Sequence, residues 1–247
     1  LEVGGWQWNG WLTPKGRVVA LFALARVDES DLWAVLPDFD PDAFATALRR
    51  FVFRSKVEIA VPGPIAATAR VSAPQRANAN RIGEVDGAVE LDMGVPGAPR
   101  TLVLAPASGA EAPPSPDATA AEAWRALDIE CGLPRLAAAQ SEQWTPQQLS
   151  LERLNAFSVK KGCYPGQEIV ARTHFLGKAK RGLALLEGSG VASTASDVCA
   201  DGAPLGTVVS TAGRIALAVL PLGEESRTLT VDGLPVQERP LRPGLAR

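Results

Sequence analysis

The stretch Lys160–Arg172, "KKGCYPGQEIVAR", holds the most unusual chemistry in this chain. It combines lysine, cysteine, tyrosine, glutamine and glutamate side chains with two glycines in one short segment. A plain turn would need only the Pro-Gly pair at its centre. The concentration of reactive and hydrogen-bonding groups therefore predicts a functional site in this segment.

Cys163 is the predicted reactive group of that site. A thiol reacts as its thiolate and neighbouring cations favour that form, so Lys160 and Lys161 would activate Cys163 if either approaches it. Taken singly, free cysteines are usually buried and inert, and lysines are usually solvated. The segment as a whole, rather than any one residue, favours a site.

The residues after the thiol predict a rigid corner. Tyr164–Gln167 has the sequence of a type II turn, because Pro165 suits its second position and Gly166 tolerates the positive φ of its third. We expect an extended strand after the turn, in which alternate side chains lie on one face. Glu168 and Arg172 would then share a face and line a pocket.

The part of the chain before this segment predicts an α/β layer. The run "RVVALFALARV" at Arg17–Val27 is apolar and β-branched enough for a buried strand, and "DLWAVLP" at Asp31–Pro37 suits its hairpin partner. A further strand is predicted for "KVEIAV" at Lys56–Val61. Two strands, a helix and a strand in that order are typical of such a layer.

The helix of this layer has its own start signals. Asp40 can cap it, and Pro41 suits the first helical position, where the missing amide hydrogen costs nothing. Phe44, Leu48 and Phe51 recur at helical spacing. We expect this apolar face to pack on the sheet.

The middle of the chain predicts a loop followed by two helical segments. Ala105–Ala118 is rich in proline, alanine and serine, which indicates a loop or linker. The residues "AEAWRALDIECGLP" predict a short helix that runs into a strand ending at Gly132. Thr145 and Gln148 have the spacing of a capping box, which predicts another helix start just before the stretch Lys160–Arg172.

Beyond Arg181 the pattern changes to brief apolar runs separated by glycine, proline and aspartate. Several short strands with turn signals at that spacing predict a small antiparallel β-barrel. The sequence therefore predicts an α+β protein of two domains, residues 1–175 and residues 176–247.

Composition excludes several classes of function. The 247 residues carry a formal net charge of -2, which gives no electrostatic support for nonspecific binding to nucleic acids or anionic membranes. The longest apolar run, Val18–Ala25, is far shorter than a membrane-spanning helix. With only Cys131, Cys163, Cys199 and one histidine, neither a disulfide framework nor a zinc or four-thiolate iron–sulfur site is predicted. We expect a cytoplasmic protein with no nucleic-acid or membrane partner.

The residues "KGCYPGQE" resemble the signature of the YgfZ-type folate-binding proteins, relatives of the glycine-cleavage T-protein (aminomethyltransferase). "TPKGRVVA" near the start, "WRALDIECGLP" in the middle and the barrel-like tail follow the same order. The resemblance implies ferredoxin-like α/β layers and a C-terminal β-barrel around a central channel. It also implies tetrahydrofolate, or a one-carbon derivative, as ligand. The implied role is support of iron–sulfur client proteins, including enzymes that thiolate tRNA.

The resemblance also implies functional residues. Glu130 in "LDIECG" resembles the T-protein glutamate that reads the pterin ring, and a carboxylate can accept two hydrogen bonds from the adjacent donors of a 2-amino-4-oxo ring. Lys161 and Cys163 are the expected catalytic pair. The expected folate-binding residues are Glu130, Gly162, Tyr164, Gly166, Gln167, Glu168 and Arg172.

Two alternatives stay open. A folate-dependent aminomethyltransferase of the T-protein type would share Glu130 and the fold, although the catalytic aspartate of that enzyme has no counterpart that we can place. The family also leads us to expect a further segment before Leu1. A thiol redox protein without folate would use Cys163 and would need Cys131 to approach it in space.

Overall fold

The computed structural model describes residues 1–63, 65–106, 117–177, 179–190, 192–223 and 228–247. These residues form two antiparallel sheets, three α-helices and a closed six-stranded barrel. The α+β class and the C-terminal barrel predicted from the sequence are both confirmed. None of the helices in this part of the chain is long and apolar enough to cross a membrane.

The first sheet confirms the predicted hairpin and adds a strand before it. Its strands, in spatial order, are β1 (Gly5–Leu12), β2 (Val18–Arg26) and β3 (Leu32–Val35). Trp6 and Trp8 of β1 lie opposite Ala25 and Ala23 of β2, so each indole faces a small residue. Both indoles are core residues, with 0% and 2% of their surface exposed.

Helix α1 (Pro41–Arg49) follows β3 and begins as predicted, with the Asp40 carboxylate accepting a hydrogen bond of 2.6 Å from the Ala43 amide. Phe44 is buried and packs edge-on against Trp11. The expectation that Phe51 belongs to this apolar face is wrong. The helix ends before Phe51, which is 65% exposed.

The second sheet differs from the prediction in its first strand. Its strands, in spatial order, are β4 (Ile65–Arg70), β7 (Thr101–Pro106), β6 (Ala88–Asp92) and β5 (Gly83–Val85). The prediction of a strand at residues 56–61 is wrong. The strand β4 begins later in the chain and pairs with the free edge of β7. Residues 56–61 instead run along the surface, where the Ile59 carbonyl accepts two hydrogen bonds from Arg49.

Helix α2 (Ala118–Glu130) follows the second sheet and is longer than predicted. The prediction of a strand ending at Gly132 is wrong, because helical hydrogen bonding continues to the Cys131 amide. Gly132 then ends the helix with a φ of +71°. Ile129 is fully buried on the core face of the helix. Most of the loop predicted for Ala105–Ala118, residues 107–116, lies outside the described residues.

Buried charges fix the C-terminal half of α2. The Asp128 carboxylate accepts hydrogen bonds from Arg100 at 2.7 Å and from Arg135 at 3.1 Å. Arg135 also forms an ion pair with Asp38, which precedes α1. Burial raises the pKa of Asp128, while the two guanidinium groups oppose that shift. A buried carboxylate with this many partners joins both sheets to α2 and so positions Glu130 at its end.

The barrel is formed by the C-terminal part of the chain. Its strands are β8 (Arg181–Gly188), β9 (Asp197–Ala200), β10 (Ala203–Ala212), β11 (Ile215–Pro221), β12 (Leu229–Val231) and β13 (Leu234–Arg239). They close in the order β10, β11, β8, β13, β12, β9, with antiparallel pairing throughout. Side chains that point inward from alternate positions fill it, among them Leu186, Val198 and Val208.

Candidate functional site

The signature segment rests on the turns that precede it. Thr145 and Gln148 form the predicted capping box, with the Gln148 amide 3.2 Å from Thr145 Oγ1 and the Thr145 amide 2.9 Å from Gln148 Oε1. The helix expected after it is replaced by turns and a short 3-10 helix, Leu151–Leu154. Residues with positive φ, Ser150 and Asn155, flank that helix and keep it short.

The predicted type II turn is present. The Gln167 amide donates to the Tyr164 carbonyl at 3.1 Å, and Gly166 has φ 82° and ψ -4°. A β-carbon on Gly166 would collide with the Thr13 carbonyl oxygen and lie 2.8 Å from Gly16 Cα. The turn at the signature is therefore docked backbone to backbone on the turn Thr13–Gly16, the "TPKG" of the N-terminal region.

The prediction of a strand after the turn is wrong, because residues Gln167–Phe175 form helix α3. The Val170 amide donates to the Gly166 carbonyl at 3.1 Å, so the turn opens directly into helical hydrogen bonding. Gln, Glu, Ala and Arg are also good helix formers. Glu168 and Arg172 still share a face, since they are four residues apart on a helix, and both are exposed.

Side chains hold the loop around the thiol in place. The Tyr164 hydroxyl donates to the Ser158 carbonyl at 2.9 Å, and Gln167 Nε2 donates to the Lys161 carbonyl at 2.9 Å. Burial raises the pKa of Tyr164, which keeps the phenol protonated as a donor. Cys163 lies in the loop that these two hydrogen bonds hold, and it is exposed to solvent. The loop therefore presents a thiol on an ordered backbone.

Lys161 has a partner that the sequence did not indicate. Its Nζ lies 5.0 Å from the centre of the Tyr164 ring, a cation–π contact. The ammonium is thus held within the signature loop, and its effect on the thiol stays a prediction.

We expect Lys161→Ala to slow alkylation of Cys163 near neutral pH by up to about tenfold, because a cation close to a thiol favours its reactive thiolate form. The rate with iodoacetamide across pH measures this effect. Lys180→Ala, which removes an exposed cation outside the signature, is the control and should leave the rate unchanged. Identical profiles for Lys161→Ala and the wild type would assign the lysine to packing on Tyr164 alone.

An open cleft of about 260 Å³ adjoins the signature loop. It is lined by Glu152, Asn155, Phe157, Ser158, Val159, Lys160 and His174. Burial raises the pKa of Glu152, against the attraction of Arg153 and His174. No local pattern predicts this cleft, since its walls come from the 3-10 helix, the loop before the thiol and the end of α3.

Glu130 is the last residue of α2 and lies next to the C-terminal tail. Its carboxylate Oε2 is 2.7 Å from Arg242 Nε, and its side chain is 31% exposed. Arg153 lies beside this pair, donating to the carbonyls of Cys131 and Arg242 at 3.3 Å each. Among the described residues, Glu130 makes its hydrogen bonds and ion pairs with the C-terminal tail rather than with the signature side chains. The signature residues thus contact one another, whereas Glu130 contacts the C-terminal tail.

Cys131 differs sharply from Cys163 in its exposure. Cys131 is 1% exposed, and burial raises the pKa of its thiol, so it is poorly placed to resolve an oxidised Cys163. This weakens the redox alternative. Within the described ranges, no three His, Cys, Asp or Glu side chains come close enough together to hold a metal ion.

Comparisons with known proteins agree with this architecture. Residues 180–242 match the family model described as the CAF17 C-terminal β-barrel domain. The crystal structure of the glycine cleavage system aminomethyltransferase T from Bartonella henselae superposes with a TM-score of 0.71, covering 98% of this chain and 76% of that one at 15% sequence identity. At that identity the likeness shows the fold alone. The predicted T-protein fold is confirmed, and the predicted C-terminal barrel matches the CAF17 barrel model.

Proposed function

We propose that this protein binds tetrahydrofolate, or a one-carbon derivative of it, and supports the assembly or repair of iron–sulfur clusters in the cytoplasm. Its clients would include iron–sulfur enzymes that modify tRNA. The observation that carries the proposal is the ordered loop that exposes Cys163, in a chain that combines a T-protein fold with a CAF17-type barrel. Lys161 and Cys163 would be its reactive pair.

The chemistry of Glu130 suits a reduced folate. Its carboxylate can accept hydrogen bonds from the 2-amino group and the adjacent ring N–H of a pterin. About a third of the side chain is exposed, so a ligand can reach it from solvent. When bound, the folate would supply a one-carbon carrier. In this proposal Gly162, Tyr164 and Gly166–Glu168, with Arg172, form the loop and helix that face it.

Titration with a reduced folate by calorimetry tests the proposal directly. We expect saturable binding with a stoichiometry near one. The absence of measurable heat at millimolar ligand would refute a folate-binding function.

Glu130→Ala should weaken folate binding by roughly 5- to 150-fold, because the pterin donors would lose their charged acceptor at a cost of about 1–3 kcal/mol. The dissociation constant from the same titration measures it. Glu187→Ala is the matched control, since Glu187 also pairs with arginine, at 3.0 Å from Arg239, but on the barrel surface. Equal affinity in Glu130→Ala and the wild type would remove Glu130 from the site.

A second candidate function is a folate-dependent aminomethyl transfer, which the fold of aminomethyltransferase T favours. Both functions would use Glu130, so binding data do not separate them. Incubation with an aminomethyl donor and tetrahydrofolate does separate them. Steady formation of methylenetetrahydrofolate would favour the enzyme, whereas stoichiometric binding without turnover would favour the accessory protein.

A further inference from the structure

The two oxygens of the Glu130 carboxylate have different surroundings. Oε2 is buried and lies 2.7 Å from Arg242 Nε, yet none of the described residues donates it a hydrogen bond of acceptable geometry. The contact is therefore a close but bent ion pair. The 31% of the side chain that remains exposed lies away from Oε2, so solvent and ligands meet the other oxygen.

The backbone that carries Arg242 is held firmly. The Arg242 amide donates to the Glu130 carbonyl at 2.8 Å, and its own carbonyl accepts from Arg153 at 3.3 Å. Further along, Trp8 Nε1 donates to the Leu245 carbonyl at 3.0 Å, and Leu245 is 2% exposed. The segment after β13 is thus fixed across the end of α2.

The side chain of Arg242 is less constrained than its backbone. It is 45% exposed, and its ion pair with Glu130 lacks a well-directed hydrogen bond. Nearly half of the Arg242 side chain is in solvent, so water can take over the hydrogen bonds of its guanidinium. The guanidinium can therefore leave Glu130 without any movement of the chain.

We propose that Arg242 is a specificity-determining residue. Its ion pair limits the number of hydrogen bonds that the Glu130 carboxylate can accept from a pterin. With Arg242 in place, a ligand reaches a single carboxylate oxygen. With Arg242 turned away, the 2-amino group and the ring N–H can each reach an oxygen. The inference rests on the proposed function, because it concerns the regulation of the same folate site.

Arg242→Ala should then tighten the binding of pterin by about three- to tenfold, since the competing cation is gone. Lumazine, which carries an oxygen where pterin has the 2-amino group, cannot make the second hydrogen bond, so its affinity should stay the same. Fluorescence titration of the two pteridines gives both constants. The ratio between them is the informative quantity, because a general loosening of the tail would move both ligands alike.

Two further variants keep the test clear. Arg242→Gln retains most of the side-chain stem and should shift the ratio in the same direction. Arg239→Ala removes an arginine that pairs with Glu187 on the barrel, and it should leave both affinities unchanged. Pterin affinity that is equal or lower in Arg242→Ala, while the wild type binds, overturns this inference alone. The absence of pterin and reduced-folate binding in every variant overturns the proposed function instead.

Discussion

Replacing Gly166 with alanine is expected to lower the free energy of unfolding by about 2–5 kcal/mol, through strain at a positive φ together with overpacking. At its φ of 82°, any L side chain is strained. The new methyl group would also meet backbone atoms, the Thr13 carbonyl and Gly16, which cannot rotate out of the way as a side chain could. The signature loop would have to separate from the N-terminal turn.

The same signature supplies a matched control. Gly162 has no heavy atom within 4 Å of the position that a β-carbon would take, and its φ is not in the left-handed region. Gly162→Ala should change stability by no more than about 0.5 kcal/mol. Urea denaturation of both variants measures the difference. Equal midpoints would show that the docking of Gly166 on Gly16 contributes nothing to stability.

Cys163→Ser is expected to abolish support of iron–sulfur enzymes while leaving the fold almost intact. The thiol is exposed, so exchanging sulfur for oxygen removes little packing, and the free energy of unfolding should change by no more than about 0.5 kcal/mol. A serine hydroxyl is far less acidic than a thiol and would not supply the nucleophile.

The measurement is the activity of an iron–sulfur enzyme in cells whose own protein of this kind has been replaced by each variant. Cys199→Ser is the control, since Cys199 is half-buried on β9, outside the signature, and should retain full support. Full support by Cys163→Ser would show that the loop acts through folate binding or partner contact, without a reactive thiol.

Local signals in the sequence predicted local structure correctly. The Asp40 cap, the capping box at Thr145 and the type II turn at Tyr164–Gln167 each depend on residues within a few positions of one another. Their hydrogen bonds join neighbouring residues, so they do not depend on how the rest of the chain packs. The β2–β3 hairpin and the short strands of the barrel were also predictable, because turn residues separate clear apolar runs.

The wrong predictions of strands arose where a short stretch of sequence alone suggested one. Residues 56–61 alternate as a strand does, but a strand also needs a partner edge, and β4 occupies the one on β7. Alternation predicts an extended strand after Gly166, although the composition of this segment suits a helix and its turn opens into helical hydrogen bonds. Pairing and exposure decide such cases, and neither can be read from a short window.

The sequence by itself determined the class of the fold, the position of the signature and the identity of its thiol. Only the tertiary structure decided that Gly166 docks on Gly16, that a cleft opens beside the signature loop, and that Arg242 meets Glu130. These contacts join segments more than one hundred residues apart, or elements whose facing sides depend on the packing of both sheets and the barrel. No local pattern encodes them, because each exists only when the whole chain has closed around its core.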